Sequence, residues 1–325
     1  MKQIILIITV FTILSCTPQK RVILTLKTDL PEILPLIEDF NKENKSIKIQ
    51  VEVGLDESEG DIVIFRGQPT SSPYKTSNIE SIFSNRLKKD SFYKDILKTT
   101  DRIDGTRVLL PLSFDLSGVM YNNKQFNNLR VIKIEDFISD QTIRFSPFWN
   151  NEFNLWYYLS NIPSFDKDKQ YLDSQLFSEV SNRVKNMVSE ENDRWDEAEF
   201  NKIYMHLSPE FLINSNMIEY YFVKFSYYVN MKIDYKKNID FSFLSSNDLL
   251  IANDSLTYIG LTESSKYKKQ GMTLLTWLFQ PTNQNKYMTN NIQKSGLDNL
   301  FLNQLSSLIE VTEKDIPKHY PKLVG

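Results

Sequence analysis

The sequence predicts an α/β chain of two lobes, each an open mixed sheet flanked by helices, on three observations. At 325 residues the chain is longer than one hydrophobic core usually serves. Its opening segments read strand, helix, strand, strand, the order of a βαβ-type open sheet. Its composition, 41% hydrophobic and 24% charged, is that of a folded chain and not a disordered one.

The elements follow in order. Met1–Ser15 has a lysine at position 2, an apolar run Ile4–Leu14 and the small residue Ser15 directly before Cys16, the only cysteine in the chain. That pattern is a secretory signal, and it is too short to span a bilayer, which takes about 20 residues. A lone cysteine has no disulfide partner within the chain. Ile13-Leu14-Ser15-Cys16 resembles a bacterial lipoprotein box, which implies that Cys16 is acylated and becomes the mature N-terminus. The alternative is an ordinary signal peptide followed by a chance cysteine. Residues 1–15 are thus expected to be removed and 16–21 to form a lipidated tether.

Val22–Leu26 is a near-continuous apolar run, expected as a strand buried on both faces. Thr28-Asp29 reads as a turn whose aspartate can cap the next helix, Leu30–Asn41, with apolar residues at helical spacing. Ile47–Val53 alternates as a strand and Asp61–Phe65 is a third. Ser77–Phe83 and Phe92–Leu97 read as short helices. Val108–Leu112 reads as a strand that Pro111 confines to an edge or an end. Ser117–Tyr121 is a further strand, Ile134–Ile138 a short helix and Ile143–Phe145 a strand. Phe153–Leu159, Leu172–Met187 and Phe200–Leu207 read as helices, and Ser208-Pro209 is a helix start. Asn216–Met231, rich in tyrosine and phenylalanine, fits strand or helix. Asp248–Ala252 and Leu256–Leu261 read as strands. Lys268–Phe279 reads as a helix stopped by Pro281, and Thr289–Leu308 as helical.

Several function classes lack their motifs. Formal net charge is −3, so no global basic field points to nucleic acid. Glycine is scarce, at 9 residues, and no GxGxxG, GxxxxGK[ST] or GxSxG string occurs to cradle a phosphate or present a nucleophile. The two histidines, His206 and His319, are far apart, and no HExxH or CxxC spacing suggests zinc. No metal or cofactor is implied, and catalysis has little support. The lysines of Lys88-Lys89, Lys236-Lys237 and Lys266–Lys269 read as solubilising.

Three stretches resemble the family 1 extracellular solute-binding proteins, which include the carbohydrate-binding partners of ABC importers. VILTLKTDLPEILPLIEDFNKENKSIKIQVEV with GDIVIFRG is similar to the family's opening strand, helix, strand and strand. DGTRVLLPLSFDLSGVMYNNKQF (Asp104–Phe126) is similar to its "DGK…yaiPy…….lyYNkdlF" pattern and is the most specific of the three. YIGLTESSKYKKQGMTLLTWLFQPTNQNKY (Tyr258–Tyr287) is similar to its late helical segment. The chain departs where the family carries a glycine and small-residue stretch, here Asn216-Met217-Ile218-Glu219-Tyr220-Tyr221, and Asp61 lacks the usual preceding proline.

The resemblance implies a two-lobed periplasmic-binding-protein-like fold with a ligand cleft between the lobes. Residues 22–118 with 255–288 are expected to form lobe I, and 119–254 with 289–325 lobe II. Ligands of open α/β sheets bind at the carboxyl ends of strands, and a sugar needs aromatic faces together with carboxylates or amides. Expected ligand residues are therefore Thr28 and Asp29 after the first strand and Phe65 and Arg66 after the third. Asp115 at the crossover matches an acidic ligand position of the family. Trp149 and Asn150 enter the second lobe where an aromatic platform is expected, and Tyr220 or Tyr221 offers another. Each has a structural reading as well: Asp29 as a helix cap, Phe65 as core, Arg66 and Asp115 as an ion pair. Trp156-Tyr157-Tyr158 reads as core, and Trp195 and Trp277 as packing residues.

The expected function is a monomeric, exported, lipid-anchored, non-enzymatic receptor on the periplasmic or outer face of a membrane. It captures a small polar solute, a carbohydrate, by hinge closure and delivers it to ABC permease subunits. One alternative is a surface lipoprotein that keeps the fold but binds a protein or host ligand. A glycosidase would need two positioned carboxylates in one cleft, and only Asp115 can be nominated.

Overall fold

The computed structural model describes residues 21–56, 58, 60–102, 104–124, 131–139, 151–161, 174–186, 199–200, 202–204, 206–252, 256–295 and 300–320. The lipoprotein box with Cys16, the strand expected at 143–145, and Trp149, Asn150 and Trp195 lie outside the described residues.

The first sheet contains β1 (Val22–Thr28), β2 (Ile47–Val53), β3 (Ile62–Gly67) and β4 (Leu109–Phe114). The second contains β5 (Ser117–Asn122), β6 (Val131–Lys133), β7 (Tyr220–Lys224), β8 (Ile239–Ser246) and β9 (Leu249–Leu250). The chain then returns to the first sheet with β10 (Leu256–Leu261) and β11 (Leu305–Ser306). Helix α1 is Leu34–Glu43, α2 Asn151–Ser160, α3 Ser174–Asn186, α4 Pro209–Asn214, α5 Phe225–Asn230, α6 Lys268–Leu278 and α7 Pro281–Ser295. Among the described residues no helix is long and apolar enough to cross a membrane.

The first sheet has the order β11-β4-β10-β3-β1-β2. Its opening βαβ unit forms as the apolar pattern dictates: Leu24 and Leu26 of β1 and Leu36, Ile37 and Phe40 of α1 are buried together. Asn44 ends α1 and turns the chain, its side-chain oxygen accepting from the amides of Ser46 and Ile47. β3 runs parallel to β1, and β10 runs antiparallel to both β3 and β4. The second sheet has the order β6-β8-β5-β7, with β9 folded back on β8. In that hairpin Asn247 and Asp248 hold φ of 52° and 61°, the left-handed pair of a tight two-residue turn.

Two cores follow from the two faces of the second sheet. Val119, Tyr121, Tyr220, Phe222 and Leu244 face Phe153 and Trp156 of α2 and Val180 and Val184 of α3. Met120, Val223, Phe241 and Phe243 face the opposite way, towards α4 and α5. Trp156, Tyr157 and Tyr158 are buried, as the core reading expected.

Several expectations are corrected. β4 is an inner strand, flanked by β10 and β11, although Pro111 lies beyond the two residues that β11 pairs, Ser113 and Phe114; a proline is tolerated where no ladder bond is required. Thr289–Leu308 is not one helix of lobe II. α7 ends at Ser295, and β11 joins the first sheet through Leu305↔Phe114. α7 is tied to the first sheet's helix by Lys286–Glu43 at 2.8 Å, and the Tyr287 hydroxyl donates to the Glu32 carbonyl at 2.9 Å. β5 begins at Ser117, so the chain passes between sheets at Asp115–Leu116 and not after residue 118. Asn216–Met231 is both strand and helix: β7 ends at Lys224 and α5 begins at Phe225. β8 is not among the strands expected from the sequence, although it pairs with three other strands.

Candidate functional site

β4 of the first sheet and β5 of the second are joined by only Asp115 and Leu116. β1, β3 and β4 run in the same direction, so their carboxyl ends share the sheet edge from which this crossover leaves. Asp115 is 3% exposed. Its Oδ1 accepts from the amide of Leu116 at 3.0 Å and from the amide of Ser226, in the first turn of α5, at 3.2 Å. The first amides of a helix have no partner within it, and here a side chain from the crossover supplies one. The amide of Phe225 donates to the Leu116 carbonyl at 2.9 Å, so two bonds fix α5 to the crossover. Burial pushes the Asp115 carboxyl up from its ordinary value, against the opposing pull of the Ser226 and Leu116 hydrogen bonds and of Lys224.

On the first sheet's edge, Thr28 is fully buried and its hydroxyl oxygen accepts from the amide of Leu30 at 3.0 Å. Thr28, and not Asp29, therefore organises the turn into α1. Asp29 is exposed beside it. Arg66 is partly exposed and pairs with Glu32 at 3.3 Å, not with Asp115 as the ion-pair alternative supposed. Along this edge Arg66, Thr257 and Ser113 lie in register across β3, β10 and β4. Phe65 is 2% exposed, its ring 5.8 Å from that of Tyr258 directly opposite on β10. It is core, because a strand residue one place before the polar Arg66 points to the sheet's other face.

Tyr220 and Tyr221 also divide. Tyr220 opposes Tyr121, 5.9 Å away ring to ring, on the face covered by α2, and is buried. Tyr221 opposes Met120 on the other face and is half-buried. Burial first, and then Glu152 and Glu210, raise its hydroxyl pKa. The sequence reading did not single out Tyr227. It follows Ser226 in the first turn of α5, is 42% exposed, and its hydroxyl is held protonated by burial and by Glu210. Locating the strand-to-helix switch after Lys224 is the signal that finds it. Asp29 and Arg66 thus lie towards the carboxyl ends of β1 and β3, and Asp115 and Tyr227 at the crossover and in the first turn of α5, while Thr28, Phe65 and Tyr220 are engaged in packing and turns.

The arrangement offers carboxylates and a guanidinium for hydroxyl groups and a tyrosine ring for an apolar face. Among the described residues no three His, Cys, Asp or Glu side chains gather as a metal-ligating group.

No family model and no curated protein matches the chain. Solved structures do match at the level of fold. The bacterial solute receptor AcbH, described as having an exclusive preference for β-D-galactopyranose, superposes with a TM-score of 0.64 at 10% identity, covering 92% of this chain and 85% of its own. CpMnBP1 with mannotriose bound has a TM-score of 0.64 at 13% identity, covering 93% and 86%. A Bordetella ferric binding protein has a TM-score of 0.56 at 12% identity, covering 93% and 96%. The chain has the mixed α/β, two-sheet fold of the periplasmic binding proteins.

Proposed function

We propose that this protein is a lipid-anchored solute receptor that captures a small carbohydrate between its two sheets and delivers it to an ABC permease. The observation that carries the reading is the crossover at Asp115. A carboxylate is held by the first turn of α5, and the next residue of that turn, Tyr227, presents a partly exposed ring. This pairs a hydroxyl acceptor with a stacking face at the point where the two sheets can move against each other. The sugars named for AcbH and CpMnBP1 support a carbohydrate.

In this reading Asp29, Arg66, Asp115, Tyr221 and Tyr227 contact ligand, with Trp149 and Asn150 completing the second lobe's side. Cys16 carries the lipid, the receptor is a monomer, and it turns nothing over. The test is a thermal-shift screen of the mature protein against mono- and oligosaccharides, amino acids and ferric salts. A ligand bound only by the folded state adds about 2.7 kcal/mol at 100 times its Kd, so at least one sugar is expected to raise the melting temperature. A flat response across the sugars overturns the reading and favours a surface lipoprotein that binds a protein ligand. Release of product from a sugar overturns the non-enzymatic assignment.

A further inference from the structure

The end of the first sheet opposite the crossover carries a surface that the solute-receptor reading does not use. β1 begins there, and Arg21, immediately before it, donates from Nε to the Lys45 carbonyl at 3.0 Å. Ile23, the second residue of β1, is 54% exposed and lies in register with the exposed Lys48 of β2. An isoleucine left in water at the start of a strand, with Lys48 opposite and Arg21 two residues before it, has the character of an interfacial residue.

A second segment is bound to the same end. Asp61 accepts from the amide of Thr25 at 3.0 Å through one oxygen and from the Ser265 hydroxyl at 2.7 Å through the other. The Ser265 oxygen in turn accepts from the amide of Tyr267 at 3.2 Å. Tyr267, 40% exposed, is thereby held beside β1, and Lys266, Lys268 and Lys269 around it are all exposed. Of the carboxylates on these segments, Asp39 and Glu43 are engaged by Lys42 and Lys286, which leaves Glu38 and Glu263 exposed against a majority of cations.

We propose that this end of the first sheet, with Ile23 and Tyr267 set among Arg21, Lys45, Lys48 and Lys266–Lys269, docks on the anionic surface of the bilayer that holds the acyl chains of Cys16. The proposal rests on the lipid-anchor reading. Only the four residues Thr17–Lys20 separate the acylated Cys16 from Arg21, and the five residue steps between those two positions span at most about 17 Å. A tether so short holds the amino end of β1 at the headgroups, where cations meet the negative surface potential within a Debye length. A tyrosine ring suits the same depth. β1 then rises from that surface by about 3.3 Å per residue, so the docking end is separate from the crossover edge of the same sheet.

The test uses the mature protein purified with its native N-terminal modification, bound to vesicles of phosphatidylcholine alone or with one third phosphatidylglycerol. Lysine modification by an amine-reactive ester is read peptide by peptide by mass spectrometry. Labelling of Lys45, Lys48 and Lys266–Lys269 is expected to fall at least about three-fold on the anionic vesicles relative to the neutral ones, with Lys237 on the second lobe unchanged. The protection is expected to vanish at about 1 M salt, where the Debye length shrinks to about 3 Å. Sedimentation with both vesicles but equal labelling on each overturns the docking surface and leaves the anchor standing. Failure to sediment with neutral vesicles overturns the anchor, and the proposal with it. The variant Lys45→Glu/Lys48→Glu is expected to lose protection across the Lys266–Lys269 segment as well. Retained protection there counts against one continuous surface.

Discussion

The carboxylate of Asp115 accepts a hydrogen bond at 3.2 Å from the amide of Ser226, 111 residues further along the chain. That bond connects the segment joining the two sheets to the first turn of α5. A charged group so deeply buried pays in solvation, and its carboxyl is raised from the ordinary value of 3.8 because that cost outweighs the hydrogen bonds and Lys224.

The sign of the pH dependence follows. A folded-state pKa above the unfolded one means that the folded chain binds the proton more tightly. The associated stability is present in full below the unfolded value and is lost as pH rises through the folded one. In Asp115→Asn the amide oxygen still accepts from Leu116 and Ser226, and no charge develops. The variant is expected to gain stability relative to the wild type as pH is raised from about 4 to 7, measured as urea midpoints at several pH values. Parallel pH profiles for the two proteins contradict it.

Gln304 gives a second expectation. Its side-chain oxygen, 2% exposed, accepts from the Ser113 hydroxyl of β4 at 2.7 Å and from the Thr257 hydroxyl of β10 at 2.9 Å. The turn that presents it holds Leu302 and Asn303 at φ of 50° and 59°, a costly conformation for a leucine. Gln304→Leu leaves two buried hydroxyls without their acceptor and is expected to cost about 2–4 kcal/mol in urea unfolding. A loss below about 0.5 kcal/mol means that the hydroxyls find other partners.

Much of the first sheet was legible because its elements carry single-residue signals: the apolar run of β1, the alternation of β2, the spacing of α1. β8 was not, although Ile239, Phe241 and Phe243 alternate with Asp240 and Ser242. The polar residues of that strand are as buried as the apolar ones, because Ser242 donates to the Tyr121 hydroxyl at 3.0 Å and the Asp240 carboxylate accepts from the amide of Phe241. Ser242's partner is far away in sequence, so a polar face that looks solvated is covered by helices. At the site, Asp115 stood out by its place between two strand-like runs. Tyr227 did not, because an unbroken aromatic run gives no period by which to find where β7 ends.

Phe65 tests the division between core and site. Its ring fills the interior against Tyr258, so Phe65→Ala is expected to cost about 3–5 kcal/mol. Trp277 is half-buried, edge-on to Phe40 at 5.4 Å with its indole N–H donating to Glu43 at 2.9 Å. Trp277→Ala is expected to cost less than Phe65→Ala when both are compared by thermal or urea unfolding. The reverse order means that Phe65 is less committed to the core than its burial indicates.

Tyr227 and Tyr220 separate ligand contact from packing most directly. Both are tyrosines of the same segment, one 42% exposed in the first turn of α5 and the other 6% exposed against Tyr121. An aromatic face stacked on a sugar contributes on the order of 1–3 kcal/mol, part of it area burial and part the ring itself. Tyr227→Ala is expected to weaken binding of the sugar that raises the melting temperature by about ten-fold or more, equal to about 1.4 kcal/mol, with little change in unfolding. Tyr227→Phe keeps the ring and is expected to retain most of the affinity, since its hydroxyl is turned to Glu210. Tyr220→Ala is expected to do the opposite: it opens a cavity beside α2, lowers stability by about 3 kcal/mol or more and leaves the affinity of the folded fraction intact. Isothermal titration and urea unfolding on the same three variants read both quantities. If Tyr227→Ala binds like the wild type while Tyr220→Ala loses affinity, the ligand lies on the α2 face of the second sheet and the crossover is not its site.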